Sequence, residues 1–198
     1  MSKQIVFRRT LGEQDEFDPT PMLWIKEFNF EMASIFAKQL SDYEADDSVK
    51  EIFMYISSYG GEVMPLVAMI DAMLSCSKPI HSIILGSAAS CGAILAIAAP
   101  GKRFIGELSS LHIHHVRAMV YEDLPGIEQE ANTLNKIESK LIKAIAKRSG
   151  KTMTEIRNKL KEETREWHVT SEQALEWNFV DVIGLPKIST SMIVEYEC

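Results

Sequence analysis

One pattern constrains the fold of this chain more than any other. A short apolar segment, a break of small residues and a helical segment follow each other twice. The first round is "EIFMYI" (Glu51–Ile56), "SSYGG" and the helix-patterned "VMPLVAMIDAMLSC" from Val63. The second is "IHSIIL" (Ile80–Leu85), "GSAASCGA" (Gly86–Ala93) and "CGAILAIAA", which Pro100 and Gly101 terminate. Uniformly apolar segments rich in β-branched residues are strands covered on both faces. Two such strands joined through helices run parallel. The pattern therefore predicts an α/β fold with a mostly parallel sheet. In that architecture sites gather beyond the carboxyl ends of the strands, where both glycine-bearing breaks fall.

Other segments fill in the order. "FEMASIFAKQLSDYEA" carries apolar residues at helical spacing. "LHIHHV" (Leu111–Val116) alternates and reads as a third strand. A long amphipathic helix, "LPGIEQEANTLNKIESKLIKAIAKRSG", stops at Gly150. "TMTEIRNKLKEE" begins a further helix capped by Thr152 or Thr154, and "TSEQALEW" a short one capped by Thr170 or Ser171, with Asn178 suited to the left-handed position after it. Residues 1–21 are polar, interrupted by Pro19 and Pro21, and read as a flexible arm before a single domain over residues 22–198.

Composition narrows the class of function. The 198 residues suit one domain with a full core. A net charge of −7 without a basic stripe argues against nucleic acid as a partner. The three cysteines, Cys76, Cys91 and Cys198, have no metal-like spacing and make a poor disulfide framework, which fits a reducing, cytoplasmic setting. The longest apolar run is too short to cross a bilayer, so no membrane association is expected. No motif implies a metal or an organic cofactor.

The second break holds two serines. Ser90 is followed directly by a helix, so the amides of Cys91 and Gly92 are first-turn donors that favour a developing negative charge. Ser87 lies nearer the strand end, where a hydroxyl bonds the local backbone. Ser90 reads either as a helix N-cap or as a nucleophile. A nucleophilic serine needs a base, and the chain offers His81, His112, His114, His115 and His168. Alternation places His112 and His114 on one face of the third strand and His115 on the other. The acids of "KEETREWHVT", namely Glu162, Glu163 and Glu166, are equally available to orient a base.

"ISSYGGEV", "GSAASCGAILAIAAPGKRF", "LHIHH" and "HVTSEQALEWNFVDVIG", in this order and at these spacings, resemble the proteolytic-subunit family of the Clp protease, serine peptidases of the crotonase-like fold. The match covers roughly Glu51 to Gly184. It implies a ClpP-like fold: a repeated β-β-α superhelix with a mostly parallel sheet and the long helix as a protruding handle. It implies Ser90 as nucleophile, His114 as general base, and the amides of Gly61 and Cys91 as an oxyanion hole. The family's aspartate position falls on Glu166 counting back from "VTSEQA" and on Glu163 counting forward from Gly150; Glu166 has the better local match. Tyr59 stands where the family has proline and Cys91 where it has methionine, and neither change removes a backbone donor.

The function implied is a serine endopeptidase that cuts unfolded or short polypeptides inside a homo-oligomeric chamber, a heptameric ring alone or stacked in pairs, with a Clp-type ATPase as feeder. Two other readings stand beside it. One is a catalytically silent subunit of such a ring, supported by glutamate in place of aspartate. The other is a crotonase-fold enzyme acting on acyl-coenzyme A, which needs the oxyanion site but no serine–histidine pair.

Overall fold

The computed structural model describes residues 3–8, 21–117, 121–163, 166–186 and 191–196. These fall into two compact units, one of residues 20–185 and one of the two ends of the chain. In the smaller unit, β1 (Lys3–Arg8) and β9 (Ser191–Tyr196) pair antiparallel, Lys3 opposite Tyr196. Part of the expected arm is thus a strand; residues 9–20 lie outside the described residues. The larger unit begins at Thr20 and ends at Leu185.

The elements of the larger unit are β2 (Met22–Ile25), α1 (Phe30–Ala45), β3 (Ile52–Ser58), α2 (Val63–Ser75), β4 (Ile80–Ala89), α3 (Cys91–Ala98), β5 (Arg103–Ile105), β6 (Ser110–Ile113), α4 (Leu124–Ser149), α5 (Met153–Glu162), β7 (Trp167–Thr170), α6 (Ser171–Glu176) and β8 (Val182–Ile183). The sheet runs β2-β3-β4-β5-β8, every neighbouring pair parallel. β4 is long enough to pair twice, with β5 along its first half and with β6 along its last three residues. β7 alone runs antiparallel, against β6. The expected α/β fold with a mostly parallel sheet is what forms.

The two strand–break–helix rounds explain the core. Ile52, Met54 and Ile56 of β3 and Ile80 and Ile84 of β4 are fully buried in one core with Leu66, Met69 and Met73 of α2. Helix α3 is buried almost all round, because "CGAILAIA" offers no polar face. Each fully buried Leu, Ile or Met stabilises the fold by about 1.5–3 kcal/mol relative to exposure.

Local signals set the helix ends. Thr152 and Thr170 each close a reciprocal capping box, with Glu155 and Gln173. Gly150 at φ 73° ends α4, and Asn178 at φ 54° takes the left-handed position after α6. In α4 every buried residue lies at or beyond Leu141. Its first three turns place no side chain in the core, as a projecting helix requires.

Two expectations about the third strand need correction. It begins at Ser110 and ends at Ile113, so it is shorter than Leu111–Val116. His114 and His115 therefore follow the strand, so strand alternation does not set the face of His114. The chain leaves the sheet at Ile113 because β4, which supports β6, ends at Ala89, opposite His112.

Candidate active site

The two breaks meet in space. Parallel pairing sets Ser58 of β3 beside Ala88 of β4, so both strands deliver their small residues to the same edge. The packing there is close: a Cβ on Gly60 would stand 2.7 Å from the Ser90 Cβ and 3.0 Å from the Ala89 carbonyl oxygen. Gly60 also holds φ +100°, which side-chain-bearing residues rarely adopt. A Cβ on Gly61 would meet the Phe28 carbonyl oxygen at 2.6 Å. The glycine pair is there because the β3 turn runs against the Ser90 turn on one side and Phe28 on the other.

Ser90 occupies the N-cap position of α3, yet its side chain makes no capping bond. Its backbone lies at φ 54°, ψ −119°. Such a conformation costs a residue with a Cβ about 1–3 kcal/mol and persists where the surroundings impose it. Here the Ser90 amide donates to the His112 carbonyl of β6 at 2.8 Å, and its carbonyl accepts from Ile94 of α3 at 3.2 Å. The strand on one side and the helix on the other hold the turn, and the hydroxyl is not spent on the backbone as a cap would be. Ser87 sits inside β4, opposite Ser110.

A pocket of about 130 Å³ opens at this turn, lined by Ser90, Cys91, Gly61 and His114 together with the apolar Leu66, Ile94, Ile113 and Leu141. The Cys91 amide is the first of α3 and has no partner within the helix. The Cys91 thiol donates to the Gly61 carbonyl at 3.3 Å, tying the two breaks together. Burial raises the pKa of that thiol, which keeps it neutral beside the serine.

The five histidines separate by their partners. His81 accepts the Lys102 amide at Nδ1 and faces Glu51 with Nε2 at 3.0 Å, which makes it a strand clasp. His115 faces Glu138 of α4 at 3.1 Å, and the same carboxylate accepts the Val116 amide. His112 lies opposite His168 across β6 and β7, with ring centroids 4.3 Å apart. Only His114 lines the Ser90 pocket.

His114 Nδ1 stands 2.6 Å from the His115 carbonyl oxygen. A carbonyl can only accept, so Nδ1 carries the proton and Nε2 presents the lone pair. That tautomer is the one a base needs to receive a hydroxyl proton. No Ser90–His114 hydrogen bond is closed among the described residues.

The acids are placed elsewhere. Glu166 stands 3.3 Å from His168 Nε2, and Glu163 2.7 Å from Lys159. No carboxylate among the described residues lies within 4.0 Å of His114. The backbone carbonyl that holds His114 has no side-chain signature and is invisible in a sequence. Gly60 is a second contributor that reading by motif left unassigned, although the "GG" pair gave the signal for it.

An α/β sheet that sets a strained serine and a histidine at one pocket beside paired glycines defines a class, that of parallel-sheet folds with a site suited to attack on a carbonyl. Comparison with known proteins makes the assignment specific. The family model described as Clp protease matches residues 18–187. The chain is also 35% identical over 156 residues, 78% of its own length and 79% of the relative's, to the ATP-dependent Clp protease proteolytic subunit 1 of Bacillus cereus. The chain belongs to the Clp protease family.

Proposed function

We propose that this chain is a serine endopeptidase that cleaves unfolded or short polypeptides. The observation that carries this is the Ser90 turn: a hydroxyl held in a strained, uncapped position over the same pocket as an imidazole whose Nε2 is the free acceptor. The Ser90 Oγ attacks the scissile carbonyl carbon while His114 Nε2 takes its proton. The oxyanion that forms is received by the amides of Gly61 and Cys91. Collapse of the tetrahedral species breaks the C–N bond, and the proton on Nε2 passes to the leaving amine. Water, deprotonated by the same nitrogen, then releases the acyl group from Ser90. Glu166 is the acid that supports the imidazolium after a side-chain rotation away from His168.

The family and the Bacillus relative's name support two further parts of the reading. The subunit assembles into a heptameric ring, single or stacked, and a Clp-type ATPase feeds it. A second reading, a silent ring subunit, is favoured by one observation: Glu166 is paired with His168 rather than His114.

A fluorophosphonate probe followed by intact-mass measurement separates them. The peptidase gives one adduct per chain, and Ser90→Ala gives none. An unmodified wild-type protein that is folded and assembled means the silent subunit.

A further inference from the structure

Strand alternation gathers three ligand-type side chains on the outer face of the β6–β7 pair. In β6, Leu111 and Ile113 point into the core, so Ser110 and His112 point away from it. In β7, buried Trp167 and Val169 alternate with exposed His168 and Thr170. Antiparallel register sets His112 directly opposite His168. Glu166, two residues before His168, falls on the same side and reaches its imidazole. One ligand atom from each of His112, Glu166 and His168 lies within 4.8 Å of the others.

We propose that His112, Glu166 and His168 form a zinc site that switches the neighbouring serine off. Two imidazoles and one carboxylate are a donor set that suits zinc with water in the fourth position. Zinc bonds of about 2.0–2.2 Å place tetrahedral donors roughly 3.5 Å apart. Closing from 4.8 Å to that spacing takes rotation of side chains, two of which are open to solvent: His168 is 64% and Glu166 34% exposed. The third, His112, has Ser110 Oγ 2.9 Å from its Nε2, an oxygen in place to fix the ring. An ordinary exposed Glu166–His168 pair accounts for two of these groups and contributes little. It does not account for a second imidazole packed edge-on against the first, an arrangement in which two protonated rings repel.

The site touches the nucleophile directly, since the His112 carbonyl receives the Ser90 amide. Zinc also holds Glu166 away from His114. This coupling rests on the peptidase reading above, whereas the metal site does not.

Chelator-treated full-length protein is titrated with zinc chloride against a chromophoric chelator, for the wild type and His168→Ala. His168→Asn replaces the alanine variant if its circular dichroism shows that it has not folded. One zinc per chain in the wild type, with affinity at least about tenfold weaker in the variant, is expected. Equal affinities overturn the site, since Cys76, Cys91 and Cys198 can also take zinc. The rate of fluorophosphonate labelling is then compared with and without zinc within each protein. Zinc slows the wild type by at least about tenfold and leaves the variant's ratio near one. Unchanged labelling with zinc bound overturns the switch. No labelling of metal-free wild type refutes the peptidase reading, and the titration still decides the site.

Discussion

At the scale of single residues, the distinctive point is that His114 is held by a backbone oxygen. In a serine–histidine–acid triad the carboxylate fixes the tautomer of the imidazole and stabilises its charged form. Here the His115 carbonyl already does the first task, at 2.6 Å from Nδ1. On the proposed mechanism Glu166 is left with the second, which is electrostatic. Glu166→Gln keeps the side chain's shape and removes its charge. The expected loss in fluorophosphonate labelling rate is therefore about 10- to 100-fold, short of the ~10⁴ seen where the acid alone sets the tautomer. Glu163→Gln, whose carboxylate is committed to Lys159, stays near wild type. The reverse ranking moves the acid to Glu163. Two variants near wild type leave the orientation of His114 to the carbonyl alone. The serine, the histidine and the glycine pair were legible in the sequence because they sit in local motifs. The partner of His114 was not, because any residue supplies a carbonyl.

At the scale of elements, legibility followed length and locality. The helices α1, α2, α3 and α4 were readable from periodicity, the end of α4 from Gly150, the starts of α5 and α6 from Thr152 and Thr170, and the end of α6 from Asn178. The strands β2, β5, β7 and β8, each of two to four residues, were not. Segments so short carry no period, and their partners lie far off in sequence. Arg103 shows what such a strand depends on. Its side chain, 1% exposed, donates to the Asp181 carboxylate at 3.0 and 2.6 Å and to the Asn178 carbonyl at 2.8 Å. One buried guanidinium thus binds β5 to the turn between α6 and β8.

Burial opposes ionisation of Asp181, but the hydrogen bonds and charge of Arg103 outweigh it, and the carboxyl stays below the usual aspartate range. A folded-state pKa below the unfolded value of about 3.9 adds stability above that pH, and the gain is lost as pH falls through the folded value. Asp181→Asn leaves a buried cation without its counter-charge and is expected to cost about 3 kcal/mol or more. That lowers the melting temperature by roughly 6–12 °C at neutral pH. The gap between variant and wild type narrows below about pH 4, where the wild type loses the same interaction. Melting curves from pH 3 to 7 check both, and a constant gap assigns the loss to packing instead.

At the scale of the whole molecule, α4 has 26 residues and packs on its own core only from Ile137 onward. The first half still carries apolar side chains, Leu124 at 70% and Ile127 at 43% exposure. A helix whose apolar residues find no partner within the subunit suits an interface between subunits. No helix among the described residues is long and apolar enough to cross a membrane. The net charge of −7 per chain works against assembly, because like charges accumulate as copies join. Salt screens this repulsion, with a Debye length falling to about 8 Å near physiological ionic strength. Leu124→Asp combined with Ile127→Asp removes the apolar contact and adds to the repulsion. In light scattering after size exclusion, the variant is expected to elute as a smaller species than the wild type, and the difference is expected to be greatest at low salt. Its chain-level melting is expected to change little, since neither side chain belongs to the subunit core. An unchanged assembly mass moves the contact to another exposed apolar position, of which Leu108, fully exposed before β6, is the next to substitute.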